Sequence, residues 1–125
     1  MGVNTLSGVW AKKPSEDFRY YNFITDNTDK IIGFELTENG IITLTKKSTG
    51  DKQLNFKYYT GDTKLYTYNI PKDIDIIDIF SDITEQCYEH NNIYAHDNNN
   101  NIYNIEITDK GSYKYYLNPE KYFSV

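Results

Sequence analysis

Residues 87–97, CYEHNNIYAHD, hold the only cysteine and both histidines of a 125-residue chain. Thiolate and imidazole are ligands that zinc favours, and a thiol beside an imidazole is a nucleophile–base pair. Either chemistry needs the groups to converge, about 2 Å from the ion in the case of a metal. Strand geometry decides whether they do. Asn91-Asn92 suits a two-residue hairpin turn, which sets His90 opposite Ile93, Glu89 opposite Tyr94, Tyr88 opposite Ala95 and Cys87 opposite His96. Cys87 and His96 then share a face and His90 points the other way. The spacing Cys-x2-His-x5-His also fits no standard zinc pattern, so the expectation is no metal. Cys87 reads as a small core residue and His90 as exposed.

Cys87 opposite His96 is also the one nucleophile–base contact that can be built, and an acidic setting does not favour a thiolate. No glycine-rich phosphate loop follows a strand. Asp73, Asp75, Asp78 and Asp82 lack the glycine and terminal glutamate of a calcium loop and read as a solvated acidic edge. The expectation is a protein that is not an enzyme and carries no cofactor.

The elements that position these residues are strands. The chain has 13 tyrosines against 6 phenylalanines, and Tyr, Ile and Thr favour strands, while Asn, Asp and Gly fill the gaps between runs. Alternating runs predict strands at 18–24, 31–37, 41–47, 53–59, 64–70, 85–90, 93–97, 102–107 and 112–117, with an earlier one through Val9 and Trp10. The run 73–83 alternates at Ile74 and Ile76 and then breaks at Ile77. That favours a strand with a bulge, although Ile76, Ile79, Phe80 and Ile83 also fit one helical stripe.

Turn chemistry predicts register. A loop Glu38-Asn39-Gly40 with a left-handed Gly40 sets Leu36 opposite Ile42 and Phe34 opposite Leu44, keeping one face apolar. Asp109-Lys110-Gly111 sets Ile107 opposite Tyr113 and Ile105 opposite Tyr115. An odd-length loop around Gly61 matches Leu54, Phe56 and Tyr58 with Tyr66, Tyr68 and Ile70. A four-residue loop Asn98–Asn101 sets His96 opposite Tyr103 and Tyr94 opposite Ile105. Sequential hairpins with one apolar face predict a single domain, 1–125. It is all-β, a small antiparallel up-and-down barrel of about eight to ten strands.

Leu6 to Trp10, LSGVW, resembles the Gly-x-Trp opening of lipocalin and fatty-acid-binding barrels, the calycin superfamily. PSEDF and NGIITLTKKSTGDKQLNFK are similar to parts of a fatty-acid-binding barrel. The resemblance implies a lipocalin-like barrel with the tryptophan plugging one end. It does not extend to the carboxylate-holding Arg-x-Tyr of the last strands, which here read YKYYL, and Arg19 is the only arginine. Nor is there room between Phe18 and Ile31 for the helical lid.

Two functions fit this frame. One is a binding protein for a small apolar or amphipathic ligand, held among Tyr58, Tyr66, Tyr94, Tyr103, Tyr113 and Tyr115 with Glu89, His96 and Arg19 as polar anchors. Buried phenols need partners, and a ligand or wet cavity would supply them. The other is a protein-interaction module, an inhibitor, immunity protein or phage-encoded antagonist, using loops and a strand face with Tyr59, Tyr88 and Tyr116 outward. The net charge of −5 argues against a nucleic-acid partner. No apolar run is long enough for a membrane span or a secretory leader, and the compartment stays open.

Overall fold

A computed structural model describes residues 2–4, 7–12, 17–24, 26, 28–37, 40–60, 64–81, 93–107 and 113–117, with the backbone alone at 2–4, 106–107 and 113–117. Within them lie eleven strands and no helix, so no helix there is long and apolar enough to cross a membrane. The first sheet holds β1 (Gly2–Asn4), β2 (Gly8–Ala11) and β3 (Arg19–Asn22). The second holds β4 (Lys30–Leu36), β5 (Gly40–Lys46), β6 (Lys52–Tyr58) and β7 (Tyr66–Asn69). The third holds β8 (Ile76–Ser81), β9 (Ile93–Asp97), β10 (Ile102–Ile107) and β11 (Tyr113–Leu117). Each sheet is an antiparallel meander in chain order.

The three meanders do not run on as one. Among the described residues, no ladder closes them into a barrel, and β8 does not pair with β7. Instead the link from Ile70 to Asp75 crosses beneath the second sheet, held by the Ile70 N–H on the Lys52 carbonyl and by Lys52 Nζ, which reaches Asp75 at 2.6 Å. The chain then enters β8 beside β4. Gly33 lies against Ile79, and Ser81 Oγ donates to Glu35 Oε2 at 3.1 Å. These contacts advance the same way along both strands, so β4 and β8 run parallel at this seam. Both strands carry a bulge, between Ile31 and Gly33 and between Ile76 and Asp78, leaving Ile32 and Ile77 exposed. The second bulge falls at Ile77, where the alternation of the sequence breaks, and the segment is strand rather than helix.

The second sheet is a central layer, which overturns the register expected for β4 and β5. Leu36 pairs with Ile41, Glu35 with Ile42 and Phe34 with Thr43. Gly40 is an ordinary strand residue opposite Tyr58, not a left-handed turn residue. One core, between the second and third sheets, takes Ile42, Leu44, Leu54, Phe56, Ile79, Ile93, Ala95, Tyr103 and Ile105. The other, against the first sheet, takes Ile41 and Tyr59 with Val9, Ala11, Tyr21 and Phe23, and Phe34 and Leu36 pack on it. The expectation of one apolar face assumed one core. With a core on each side, Ile41 and Ile42 are both fully buried and point opposite ways. Tyr59, expected outward, is buried for the same reason. Polar residues on the first-sheet side satisfy one another: Asn55 Nδ2 donates to Thr45 Oγ1 at 2.8 Å, and Thr67 Oγ1 donates to Asn55 Oδ1 at 3.0 Å.

The β5–β6 and β9–β10 hairpins share one turn. The Lys47 N–H bonds the Asp51 carbonyl and the Gly50 N–H bonds the Lys47 carbonyl; Asp97, Asn101 and Asn100 repeat both bonds. The fourth residue is left-handed in each, Gly50 at φ 95° and Asn100 at φ 65°. The five-residue turn takes in Asp97 and shifts the expected β9–β10 register by one. His96 pairs with Ile102, Ala95 with Tyr103, Tyr94 with Asn104 and Ile93 with Ile105. Elsewhere the expected register holds for Ile107 with Tyr113 and Ile105 with Tyr115. The β6–β7 pairing slips by two from the expected Tyr58–Tyr66, Phe56–Tyr68 and Leu54–Ile70 rows: Leu54 pairs with Tyr68 and Phe56 with Tyr66, which keeps the same side chains on one face.

Candidate functional site

In β2 and β3 the sequence alternates small or apolar residues with large aromatic ones. Val9, Ala11, Tyr21 and Phe23 face the core. The opposite face carries Trp10 and Tyr20 as a cross-strand pair, followed by Lys12 and Phe18. A sheet face turned to water is ordinarily polar. Here Trp10, Phe18 and Tyr20 are 45%, 43% and 39% exposed. Trp10 does not plug the end of a barrel; it stands on the outside.

The geometry of this face is well held. The Trp10 and Tyr20 rings lie 5.4 Å apart at 54°, forming an open V. The Tyr20 ring covers Gly8, where a β-carbon would sit 2.7 Å from it, and its hydroxyl is hydrogen-bonded to Ser7 Oγ. Lys12 Nζ sits 5.4 Å from the centre of the Phe18 ring, a cation–π contact of about 0.5–1 kcal/mol at such a surface. Beneath, Tyr21 meets Tyr59 edge to face, and Lys57 Nζ bonds the Asn22 carbonyl at 3.2 Å, tying the first sheet to the second.

The residues expected to line a ligand cavity are not gathered in one place. Tyr94 and His96 lie together on the outer face of the third sheet, Tyr94 stacked on Phe80 at 5.3 Å and His96 Nδ1 3.7 Å from Asp78. Tyr103 is on the opposite, inner face. The one-residue register shift separates them. Tyr58 and Tyr66 pack half-buried on the inner face of the second sheet, their rings edge to face at 6.2 Å. Arg19 is exposed where β3 begins. Tyr113 and Tyr115 are placed by backbone register only. Cys87, Tyr88, Glu89 and His90, and the hairpin expected at Asn91-Asn92, lie outside the described residues, as does the side chain of Tyr116. Among the described residues no three His, Cys, Asp or Glu side chains converge as a metal site would require.

The buried phenols find partners within the protein. Tyr103 donates to Asp97 at 2.9 Å, Tyr59 to the Thr37 carbonyl at 2.8 Å and Tyr21 to the Tyr59 carbonyl at 3.4 Å. Between the two larger sheets, Leu54, Ile70, Ile76 and Ala95 line a partly open pocket of about 10 Å³, at the lower limit of what holds one water. One polar group on this inner face was not legible as such. Glu35, which alternation sets outward, faces the space between the sheets, where burial raises its carboxyl above the usual range against the opposing effect of the Ser81 bond. The aromatic outer face also went unrecognised, although Val9-Trp10-Ala11-Lys12 alternates in a way that points to it.

Comparison with protein-family models, with curated proteins and with solved structures found no match for this chain.

Proposed function

We propose that this protein is a non-enzymatic interaction module that engages a protein partner through the outer face of the first sheet. The observation that carries the reading is the cluster of three large aromatic side chains exposed side by side on a rigidly backed sheet. Trp and Tyr dominate the energetics of interfaces because they bury much area at little entropic cost. Tyr21, Tyr59 and Tyr103 each find a partner within the protein, which weakens the argument for a filled cavity.

Panning a random-peptide display library on the protein tests this, with counter-selection on a Trp10→Ser/Tyr20→Ser double variant. The expected result is enriched peptides that bind the variant at least about tenfold more weakly, a loss of about 1.4 kcal/mol, while the variant keeps its thermal midpoint within a few degrees. Enrichment that is indifferent to the two substitutions would refute the reading.

Glu35 favours a second reading. A half-buried carboxyl beside Ser81 on the inner face that also carries Tyr58 and Tyr66 suits the amine end of an amphipathic ligand. On that reading the second and third sheets curl as an incompletely closed, lipocalin-like barrel. Native mass spectrometry of the freshly purified protein would then show a bound amine that Glu35→Gln loses; an unliganded mass before and after substitution counts against it.

A further inference from the structure

We infer that Glu35 and Ser81 form a pH-operated latch between the second and third sheets, shut when the Glu35 carboxyl is neutral and loosened when it ionises. The latch does not depend on the role proposed for the first sheet. It follows from how lightly the seam is built. Among the described residues no backbone ladder joins β4 to β8, and each strand carries a bulge. Midway, Gly33 lies against Ile79. At the start of β8, Lys52 Nζ bonds Asp75 and the Ile76 carbonyl. At its end, Ser81 Oγ donates to Glu35 Oε2 at 3.1 Å.

The surroundings of Glu35 suit a neutral acid better than a charge. Its side chain is half-buried on the inner face, opposite the fully buried Ile42 of β5. Ser81 is its one hydrogen-bond partner among the described residues. A carboxylate out of water calls for several donors or a cation. From β8 it faces the Ser81 hydroxyl alone. The titratable groups on the same inner face are the phenols of Tyr58, Tyr66 and Tyr68, and the bonded pair Tyr103 and Asp97. Lys30 and Lys46 share its side of the second sheet but pair at the far end of β4, and Lys52 is held by Asp75. Asp78 stands on the outer face of β8 beside His96. Burial raises the Glu35 carboxyl above its ordinary 4.5, and the Ser81 bond offsets only part of that.

The sign follows. A protonated carboxyl can both accept from and donate to the Ser81 hydroxyl. An ionised one gains by reaching water, and parting β4 from β8 brings water to it. A carboxyl raised in the folded state contributes stability that is fully present below 4.5 and is lost as pH rises through its higher folded value. The seam therefore tightens in acid and loosens towards neutrality, opening an edge of the core between the two larger sheets.

Hydrogen exchange of peptides spanning β4 and β8, corrected for the intrinsic rate, is followed between about pH 4 and about pH 8 beside a carboxyl-carbon NMR titration of Glu35. In the wild type, protection at the seam is expected to fall at least about threefold across the range in which Glu35 titrates, while β5 and β6 hold theirs. Glu35→Gln, neutral throughout, should keep the seam protected over the whole range. Ser81→Ala removes a donor to the carboxylate and should move the Glu35 titration upward. The same pH dependence at the seam in the wild type and Glu35→Gln would overturn the inference. So would a Glu35 that titrates at or below 4.5, or one that titrates unchanged in Ser81→Ala.

Discussion

Alanine at position 40 is expected to destabilise the protein by about 3 kcal/mol or more, whereas alanine at position 33 changes stability by less than about 1 kcal/mol. Both glycines lie in the central sheet, and neither has a positive φ. The difference is space. A β-carbon on Gly40 would sit 2.3 Å from the Lys57 carbonyl oxygen and 2.6 Å from Cζ of Phe56. The carbonyl belongs to the backbone of the next strand, and the Phe56 ring is fully buried, so neither can give way cheaply. A β-carbon on Gly33 would meet Ile79 Cγ1 at 3.4 Å, an ordinary contact. Urea titration of the two variants reads the difference as a shift in midpoint at unchanged slope. If Gly40→Ala unfolds at the same midpoint as Gly33→Ala, the β5–β6 register that places Gly40 opposite Tyr58 is wrong.

Asp97→Ala should cost about 3 kcal/mol, and Asp97→Asn somewhat less. The Asp97 carboxylate is 3% exposed and accepts four hydrogen bonds: from the Asn99 N–H at 2.9 Å, the Asn101 N–H at 2.8 Å, Asn101 Nδ2 at 3.0 Å and the Tyr103 hydroxyl at 2.9 Å. It thereby holds the β9–β10 turn and satisfies the buried phenol. Burial opposes its charge, but the bonds from Asn101, Tyr103 and Asn99 outweigh burial and hold the carboxyl below its ordinary 3.8. The sign follows. A carboxyl depressed in the folded state contributes stability that is fully present above 3.8 and is lost as pH falls through its lower folded value. Acid unfolding of the wild type should contain this component, and Asp97→Asn should lack it.

Tyr103 gives an independent reading of the same contact. Burial first, and then its bond to Asp97, push its hydroxyl up to about 12. Spectrophotometric titration of Asp97→Asn should find that phenol lower than in the wild type but still above ordinary tyrosine, because burial remains. A Tyr103 that titrates identically in both proteins would mean that the two groups do not touch.

Alternation along the chain was a sound guide wherever a strand has one buried face and a turn of expected length. The common face of Leu54, Phe56, Tyr66 and Tyr68, the pairing of Ile105 and Ile107 with Tyr115 and Tyr113, and the irregularity at Ile77 were all legible. The same rule failed at β4–β5, where Phe34, Leu36 and Ile41 serve one core and Ile42 and Leu44 another. It failed by a single residue at β9–β10, because Asp97 belongs to the turn, and that residue moved Tyr94 and His96 to the surface. The aromatic face was hidden for a different reason. Trp10 in a strand looks like core until Val9 and Ala11, its small neighbours, are seen to occupy the core instead.

From its residues alone this chain was bound to be all-β, acidic and rich in tyrosine, since strand propensity and charge are local properties that survive any arrangement of the strands. Which side of each strand is buried was decided only by tertiary structure. That choice depends on how many layers press on a sheet, and a central sheet with a core on either side makes apolar residues welcome on both. The same layering left Trp10, Phe18 and Tyr20 facing water on the outer side of the first sheet.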